Sequence, residues 1–382
     1  TLGHAYGDLV LTEIANKLIK ITKENLLISR FGGDEFLVLV TNEKSAAKIE
    51  AIARYILKEF QEPLCINEEE IFINFSIGIT RFPYDGTTVN QLITNADTAM
   101  YKVKNCGKNS YRFYSNEMQL ELIEKTEVET ILRKALKNDG FMLLYQPQVN
   151  ANTGQIVGFE ALLRIKDHNI SPAKFIPIAE DTGLIIPIGR WVAKEAVEQI
   201  RRWKEKGYDL KPIAINFSSK QLRDRNFLTY LNHTLQHNEV EPKYIEIEIT
   251  ESFLLEKTDL STTLLGRLKE LGVNIALDDF GTGYSSLNYL TFFPVDKIKL
   301  DKSLCEKFLS HENVKVMDSL ISLAHSLRLE ITAEGIEEME HYKRLRKGGC
   351  DYIQGYLFSR PLMIEDIDEL YHSNLLERLD QK

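Results

Sequence analysis

Acidic and amide side chains, together with one lysine, recur at or near the ends of apolar, strand-like segments in the last two thirds of the chain. The series consists of Gln146, Glu160, Asn216, Glu248, Asp278, Asp279, Lys299 with Asp301, Glu334 and Gln354. A single acid at the end of a strand is most often a helix cap or a solvated loop residue. Helix caps do not require Glu, Asn and Asp inside apolar runs such as IAINFS and IALDDF, so the series predicts one shared site.

Oxygen ligands of this kind predict a metal site. Converging carboxylates repel each other unless cations lie among them. The set contains no His or Cys, which favours magnesium or manganese over zinc or copper. The adjacent Asp278 and Asp279 supply enough oxygens for two ions, and paired ions are a recurring device for in-line displacement at phosphorus. The chemistry that this pattern predicts is hydrolysis of a phosphodiester.

Two cationic residues and one loop extend the predicted site. Lys299 among acids could polarise the attacking water or neutralise phosphoryl oxygens, although a plain ion pair with Asp301 or Asp278 is the alternative. Arg164, four residues after Glu160, could grip a phosphate with its planar guanidinium group, or be a surface arginine. The loop FGTGYSSL (280–287) is either a mobile turn or a lid that senses substrate and metal, and its position after two aspartates favours the lid.

Eight strand patterns, with helix patterns between most of them, must position these residues. They cover residues 141–149, 156–163, 212–218, 244–250, 273–279, 295–301, 329–335 and 352–358. Alternating strands and helices favour a parallel sheet, and eight of them favour a (β/α)8 barrel. Only NANTG (150–154) separates the first two strands, which is too short for a crossover, so we expect one antiparallel strand.

The first part of the chain predicts a smaller α+β domain. A helix over residues 8–20 would place Leu9, Ile14, Leu18 and Ile19 on one face, and LLISRFGGDEFLVLV (26–40) predicts a hairpin around two glycines. Further patterns indicate helices at 44–60 and 89–104 and a strand at 70–80. A charged helix pattern covers 117–138, so we expect domains over 1–116 and 117–382.

Composition narrows the class of protein. The 382 residues carry a net charge of −9, which argues against binding to a nucleic acid polymer through phosphate contacts. The cysteines Cys65, Cys106, Cys305 and Cys350 are scattered without a CxxC pair, which is typical of a reduced, cytoplasmic compartment. No apolar stretch is long enough to span a bilayer, so we expect no membrane segment in this chain.

The second domain resembles the EAL family of bacterial cyclic di-GMP phosphodiesterases. Its motifs occur in order over roughly 117–382: FEALLR (159–164), INFS, EIEITES, LDDFGTGYSSL, DKIKLD, AEGIE and YIQGYLFSRP. The resemblance implies a modified TIM barrel that hydrolyses cyclic di-GMP to linear pGpG with two Mg²⁺ or Mn²⁺ ions. One departure is Ile165, where the family often has tryptophan.

The resemblance also implies a role for individual residues. Glu160, Asn216, Glu248 and Asp278 look like ligands of the first metal, and Asp278 and Asp279 of the second. Lys299 and Glu334 would handle the nucleophilic water, with Glu334 as general base. Glu337 resembles the residue that holds the lid loop, which includes Phe280, Gly281, Thr282 and Gly283. The residues that resemble substrate contacts are Gln146, Leu162, Arg164 and Gln354.

The first domain resembles the GGDEF family of diguanylate cyclases, through GHAYGD (3–8), SRFGGDEF, FSIGIT and ADTAMYKVKNCGKN. Residues that match its nucleotide and metal positions are Asp8, Gly32, Gly33, Asp34, Glu35, Lys104 and Lys108. The family carries another metal-binding aspartate and a guanine-reading asparagine before GHxxGD, and its RxxD motif is replaced here by KENL (23–26). We therefore expect an incomplete cyclase site that binds GTP and influences the barrel.

Three functions remain open on this sequence. The first is an active cyclic di-GMP phosphodiesterase, which every ligand-type residue supports. The second is a receptor that binds the dinucleotide without cutting it, and the third is a cyclase with a regulatory EAL domain. The family resemblance also implies a homodimer formed through the EAL domain.

Overall fold

The computed structural model describes residues 4–21, 25–67, 69–105, 107–251, 253, 259–281, 292–309 and 314–379. The chain divides into two compact units, Thr1–Glu127 and Val128–Lys382. The division falls within the helix Asn116–Lys137, which covers the charged segment that the sequence analysis assigned to a helix. The domain boundary near residue 117 stays a prediction.

The described part of the first unit contains three helices and six strands before the helix at Asn116–Lys137. In chain order they are α1 (His4–Ile21), β1 (Leu26–Gly32), β2 (Glu35–Val40), α2 (Ala46–Glu59), β3 (Leu64–Ile66), β4 (Glu69–Ile71), β5 (Ser76–Ile79), α3 (Val89–Asn105) and β6 (Ser110–Phe113). Strands β1 and β2 form the predicted antiparallel hairpin, and β5 pairs with β6 in parallel. The strand predicted at 70–80 is two strands, β4 and β5, which pair with different partners.

The core of the first unit differs in part from the helical face that the sequence predicts. Ile14 and Leu18 are buried as expected, and Ile21 joins them one turn further on. Leu9 and Ile19 are 46% and 65% exposed. Residues 14, 18 and 21 follow the spacing of four and three that keeps side chains on one stripe of a helix, and residues 9 and 19 lie off that stripe.

The second unit is a closed eight-stranded barrel. Its strands are β7 (Phe141–Asn150), β8 (Ile156–Ile165), β9 (Ile213–Asn216), β10 (Ile245–Thr250), β11 (Asn274–Phe280), β12 (Lys297–Leu300), β13 (Glu330–Ala333) and β14 (Tyr352–Ile353). Neighbouring strands are parallel except where β7 pairs with β8 and β14. The predicted barrel with one antiparallel strand is therefore confirmed, and the antiparallel strand is the first.

Helices cover the outside of the barrel. They are α4 (Asn116–Lys137), α5 (Pro172–Asp181), α6 (Ile185–Glu205), α7 (Phe227–His237), α8 (Asp259–Leu271), α9 (Lys302–Phe308), α10 (Val314–Ser326), α11 (Met339–Lys347), α12 (Ile364–Leu370) and α13 (Leu375–Leu379). In α6, Ile188, Val192, Ala196, Ile200 and Trp203 recur every three or four residues and are buried in the core. None of the helices in the described ranges is long and apolar enough to cross a membrane.

Polar side chains fill much of the barrel interior. In β10, Ile245, Ile247 and Ile249 belong to the hydrophobic core, while the alternate residues Glu246 and Glu248 are buried away from it. Successive side chains of a strand point to opposite faces, so the isoleucines face the helices and the glutamates face the barrel axis. Barrels of this class usually fill the axis with branched apolar residues. The burial of charge here indicates a functional interior.

Two aspartates at the amino-terminal rim join neighbouring strands. The Oδ2 atom of Asp296, just before β12, accepts the N–H of Ile275 on β11 at 2.8 Å. Its carboxylate also binds Nζ of Lys269 at 2.7 Å. Asp351, just before β14, accepts the N–H of Ile331 on β13 at 2.8 Å in the same way. Each carboxylate satisfies a backbone donor near the start of a strand, which is a stabilising role.

We expect Asp296→Ala to destabilise the second unit by about 1–3 kcal/mol, because the N–H of Ile275 loses its acceptor. Asp296→Asn retains a side-chain oxygen and loses only the charge, so it should cost about 1 kcal/mol or less. Urea unfolding followed by tryptophan fluorescence measures this directly, since both tryptophans, Trp191 and Trp203, lie on α6 of the second unit. Equal unfolding midpoints for the two variants would contradict the assignment.

Candidate active site

Lys299 on β12 is fully buried at the centre of a cluster of carboxylates. Its Nζ lies 2.8 Å from Oε1 of Glu248 on β10 and 2.8 Å from Oε1 of Glu334, which follows β13. Nζ is also 3.2 Å from Oδ1 of Asp278 on β11 and 3.5 Å from Oε2 of Glu160 on β8. One ammonium group thus contacts acids from four different strands or strand ends. Asp301, the other partner considered from sequence, instead accepts the N–H of Ser303 at 2.8 Å and caps α9.

Three amide side chains complete the cluster. Asn216, at the end of β9, donates from Nδ2 to Oε1 of Glu160 at 2.9 Å. Gln354, after β14, donates from Nε2 to Oε2 of Glu160 and to Oε1 of Gln146 at 3.2 Å. Gln146 lies on the antiparallel strand β7, directly opposite Glu160, and donates to the carbonyl of Ser359 at 3.2 Å. The short loop that reverses β7 is therefore what brings a neutral amide next to Glu160.

Asp278 and Asp279 lie at a β-bulge. Leu277 pairs with Ile298 and Phe280 with Leu300, so β11 has one more residue than β12 across this interval. Asp279 lies within this bulge and has a φ of +55°, a conformation that few non-glycine residues adopt. In a regular strand two adjacent side chains would point to opposite faces, so the bulge re-aims one aspartate relative to the other.

The carboxylates differ in protonation behaviour. Burial raises the pKa of Glu334 to about 8, helped by Asp278 and Glu160 and opposed by Lys299. Burial and Glu160 raise the pKa of Glu248 well above its ordinary value. Burial also favours the neutral form of Glu160, but Lys299 and the amide donors outweigh it, so its pKa is lowered. Desolvation and then Asp278 raise the pKa of Asp279.

The same contacts keep the side chain of Lys299 protonated. Burial alone would lower the pKa of its ammonium group, but the carboxylates of Glu160, Glu248, Glu334 and Asp278 raise it well above its ordinary value. The site therefore holds one permanent cation and an excess of acids. Four carboxylates surround one ammonium group, so Lys299 cannot neutralise all of them if all are ionised.

The donor set fits a hard divalent cation by chemistry. Both carboxylate oxygens of Glu248 and Oδ1 of Asp278 are buried without a hydrogen bond of good geometry, so they retain acceptor capacity. All the ligand atoms predicted from sequence are oxygens, which suits magnesium or manganese. Within the described ranges, no group of three or more His, Cys, Asp or Glu side chains is itself arranged as a metal cage. The carboxylates converge on the Lys299 ammonium group instead.

A cationic and aromatic group lies beyond this cluster. Arg164 follows Glu160 on β8 and is partly buried, and desolvation lowers the pKa of its guanidinium group, with Tyr356 and Glu160 opposing. The guanidinium carbon of Arg360 lies 4.3 Å from the centre of the Tyr356 ring. Leu162 is partly buried on the same strand as Arg164. The substrate-binding roles of Arg164 and Leu162 stay predictions.

The start of the predicted lid is held by a residue that sequence analysis did not single out. Glu251, just after β10, accepts the N–H of Gly281 at 3.0 Å. The lid residue Phe280 is buried at the end of β11, and Thr282 and Gly283 lie outside the described residues. Glu337 is exposed and binds Nζ of Lys302 at 2.6 Å. The sequence signal for Glu251 was its position as a polar residue shortly after a strand. The segment ITES (249–252) contains several polar residues in such a position, so the signal did not single out Glu251.

The predicted nucleotide residues of the first unit are exposed. Gly33 and Asp34 form the two-residue turn between β1 and β2, and Gly33 adopts φ of +49°. Its carbonyl accepts two hydrogen bonds from Arg30, at 3.1 and 2.9 Å. The other predicted residues, Asp8, Gly32, Glu35, Lys104 and Lys108, are also exposed. The structure records no hydrogen bond or ion pair between the charged side chains of this set, so their shared role stays a prediction.

Fold and site together define a (β/α)8-barrel protein with an acidic, lysine-centred site at the carboxyl ends of its strands. The model of the EAL domain family matches residues 129–361, and the model described as diguanylate cyclase, GGDEF domain, matches residues 1–110. The chain belongs to the EAL domain family, and the resemblance read from its motifs is confirmed.

Curated relatives match this chain across both of its domains. The signaling protein YkoW of Bacillus subtilis is 38% identical over 96% of this chain and 46% of its own length. The bifunctional diguanylate cyclase/cyclic di-GMP phosphodiesterase MucR of Pseudomonas aeruginosa is 37% identical over 96% of this chain and 54% of its own. The cyclic di-GMP phosphodiesterase PdeR of Escherichia coli is 36% identical over 94% and 55%. The chain spans about half the length of these relatives.

Solved structures of EAL proteins resemble a large part of this chain. The PaMucR phosphodiesterase in complex with c-di-GMP is 37% identical, with a TM-score of 0.59 over 63% of this chain and 99% of that one. The EAL enzyme Bd1971, bound to cAMP and cyclic di-GMP, is 30% identical, with a TM-score of 0.62 over 75% of this chain and 76% of that one.

We expect the second unit, in metal-free buffer, to lose stability as the pH rises from about 4.5 to about 8. The pKa of Glu334 is raised to about 8 in the folded state, so its contribution is complete below the unfolded value and is lost as the pH rises through the folded one. The lowered pKa of Glu160 makes the free energy of unfolding increase with pH, but only at acidic pH. Each proton that the folded state retains lowers the free energy of unfolding by at most about 1.4 kcal/mol per pH unit as the pH rises.

The matched variant is Glu334→Gln, which cannot ionise. Urea unfolding in EDTA, followed by tryptophan fluorescence between pH 5 and pH 8.5, should show a flatter pH dependence for this variant. A slope as steep as that of the unmodified chain would show that Glu334 does not carry the buried proton.

Proposed function

We propose that this chain hydrolyses cyclic di-GMP to linear pGpG at the carboxyl end of its barrel. The observation that carries the proposal is the cluster in which Glu160, Glu248, Asp278 and Glu334 contact the single buried ammonium group of Lys299. MucR and PdeR are named as cyclic di-GMP phosphodiesterases, and both relatives match nearly the whole of this chain. An excess of acids over cations also suits a site that recruits divalent ions to a phosphodiester.

The metal-binding residues in this proposal are Glu160, Asn216, Glu248 and Asp278 for one ion, and Asp278 with Asp279 for a second. Bound Mg²⁺ or Mn²⁺ would supply Lewis-acid polarisation of the phosphodiester and of the attacking water. The unsatisfied oxygens of Glu248 and Asp278 support this assignment. The β-bulge supports a shared role for the two aspartates, because it changes the direction of one relative to the other.

Glu334 is the proposed general base. A carboxylate with a pKa of about 8 is a far stronger base than an ordinary glutamate, so its ionised form can accept a proton from water. Lys299 lies 2.8 Å from Glu334 and can hold the attacking oxygen and stabilise negative charge on the phosphoryl group. Glu160, with its lowered pKa, stays ionised and anchors the amide network.

The proposed substrate contacts surround this centre. Gln146 and Gln354 supply amide groups beside Glu160, and Arg164 supplies a guanidinium group for a phosphate. Leu162 provides an apolar contact on the same strand as Arg164. The proposed lid comprises Phe280, Gly281, Thr282 and Gly283, with Glu337 as its predicted support, and it would close over the bound dinucleotide.

Three further features belong to the proposal. The GGDEF unit binds GTP through the exposed hairpin turn at Gly33 and Asp34 and influences the barrel. The chain pairs with a second copy through the EAL domain, which would make activity depend on protein concentration. A cytoplasmic location suits a reaction on a bacterial second messenger, and Cys65, Cys305 and Cys350 are free thiols.

We expect Glu160→Ala to lower the rate of cyclic di-GMP hydrolysis at least about 100-fold, because it removes a proposed metal ligand and the acceptor of two amide hydrogen bonds. Purified protein is incubated with cyclic di-GMP and Mg²⁺, and pGpG is quantified by chromatography. The control is Glu205→Ala, which removes an exposed acid whose partner is Arg201 on α6 and should leave the rate unchanged.

The same assay separates the alternatives. Tight binding of cyclic di-GMP by the unmodified chain without pGpG would make the protein a receptor and would refute the phosphodiesterase. Formation of cyclic di-GMP from GTP would instead identify a cyclase.

We expect EDTA to abolish hydrolysis and excess Mg²⁺ or Mn²⁺ to restore it, because the oxygen ligands favour hard divalent cations. Zn²⁺ should restore it less well, since the predicted set lacks His and Cys. The readout is the pGpG formed after dialysis against each ion. Full activity of the dialysed protein in EDTA would rule out a metal-dependent mechanism.

A further inference from the structure

A second set of polar side chains, of which Glu246 and Lys297 are buried, lies on the amino-terminal side of Lys299. Lys297 on β12 and Glu246 on β10 form an ion pair in which Nζ lies 2.7 Å from Oε2 and 3.0 Å from Oε1. Nζ is also 5.2 Å from the centre of the Tyr352 ring on β14. The Tyr352 hydroxyl donates to Oε1 of Glu330 on β13 at 2.8 Å. We refer to Glu246, Lys297, Tyr352 and Glu330 as the lower polar layer.

The lower polar layer lies directly beneath the candidate site. Glu246, Lys297 and Tyr352 each precede a site residue by two positions on the same strand or its immediate extension; the site residues are Glu248, Lys299 and Gln354. Residues two apart on a strand share a face and are separated by about 7 Å along it. Strands β10 and β12 therefore carry two glutamate–lysine pairs, one above the other.

The two pairs differ in how well their hydrogen-bonding atoms are satisfied. In the lower pair, Lys297 donates to both carboxylate oxygens of Glu246. In the upper pair, both oxygens of Glu248 and Nζ of Lys299 lack a hydrogen bond of good geometry, although Nζ is 2.8 Å from Oε1. The lower pair thus links β10 to β12 through two hydrogen bonds, whereas in the upper pair Lys299 is shared among carboxylates from several strands.

Strand β11 runs between β10 and β12, and its side chain at this level is small. Ala276 is in register with Glu248 on one side and with Lys297 on the other, and it is fully buried. The side chain that β11 places in register with Lys297 is therefore only a methyl group.

We propose that the Glu246–Lys297 ion pair is a positioning device that fixes β10 against β12 and so sets the relation of Glu248 to Lys299 in the active site. The proposal rests on the proposed function for its kinetic consequence. The pair adds no net charge to a site that already has an excess of acids. A buried ion pair contributes little net stability compared with apolar residues of the same volume, so geometry explains its presence better than stability does.

The test compares Lys297→Met with Lys297→Arg. Methionine keeps an unbranched side chain but removes the charge, whereas arginine can still pair with Glu246. We expect Lys297→Met to lower kcat for cyclic di-GMP hydrolysis about tenfold or more while KM changes less than about threefold, because a displacement of 1 Å is enough for such a loss. Lys297→Arg should stay within about threefold of the unmodified kcat.

A purely stabilising pair predicts a different result. Lys297→Met would then unfold at lower urea concentration but, once folded, would keep kcat within about threefold, and this outcome would overturn the proposal. If Lys297→Met fails to fold because Glu246 is left unpaired, the double variant Glu246→Gln/Lys297→Met replaces it, since it leaves no isolated buried charge. The double variant should show the same loss of kcat, and an unchanged kcat would again overturn the proposal.

A structural readout separates this proposal from the proposed function. In a crystal structure of Lys297→Met, or of the double variant if the single one does not fold, we expect the distance between Nζ of Lys299 and Oε1 of Glu248 to differ by more than about 0.5 Å from that in the unmodified protein. An unchanged distance would refute positioning, whatever the activity. A changed distance in a chain that does not hydrolyse cyclic di-GMP would support positioning while the proposed function fails.

Discussion

The ammonium group of Lys299 is the charge on which the site depends. It is fully buried, and it contacts carboxylates that come from four strands or strand ends. Removing a charge from water is costly unless opposite charges surround it, and here those opposite charges raise the pKa of the lysine well above its ordinary value. One lysine does not neutralise all these acids, so Glu334 and Glu248 hold protons more tightly than ordinary glutamates. An excess of acids favours the binding of cations or protons, which is the property that the proposed metal-dependent phosphodiesterase needs.

A barrel with a polar interior must obtain its stability elsewhere. In β10 and β12 the two-residue period of the strand sends Ile245, Ile247 and Ile298 outward to the helices, and Glu248 and Lys299 inward. The hydrophobic core therefore lies between the barrel and its helices, and the barrel axis is free for charged groups. The antiparallel β7 adds Gln146, a neutral amide that can lie next to Glu160 without further repulsion.

Much of the fold follows from local patterns, and the wrong predictions concern features that depend on other parts of the chain. The eight barrel strands and the hairpin were predictable because alternation and turn residues are encoded within each segment. The segment 70–80 was predicted as one strand and is two, because β4 and β5 pair with different partners. Leu9 and Ile19 were assigned to the buried face of α1 and are exposed. Burial of a helix face depends on what packs against it, which the helix's own residues do not encode.

The sequence by itself determined the types of side chain in the site, their order along the chain and their oxygen-only chemistry, because each residue stands in a recognisable strand or strand end. Only the tertiary structure decided that Lys299 is the common partner of Glu160, Glu248, Asp278 and Glu334. It also decided that Asp279 takes a left-handed conformation at a bulge, that Glu251 holds Gly281, and that Lys297 pairs with Glu246. These contacts join residues distant in sequence, and they depend on strand register and barrel closure, which no single segment encodes.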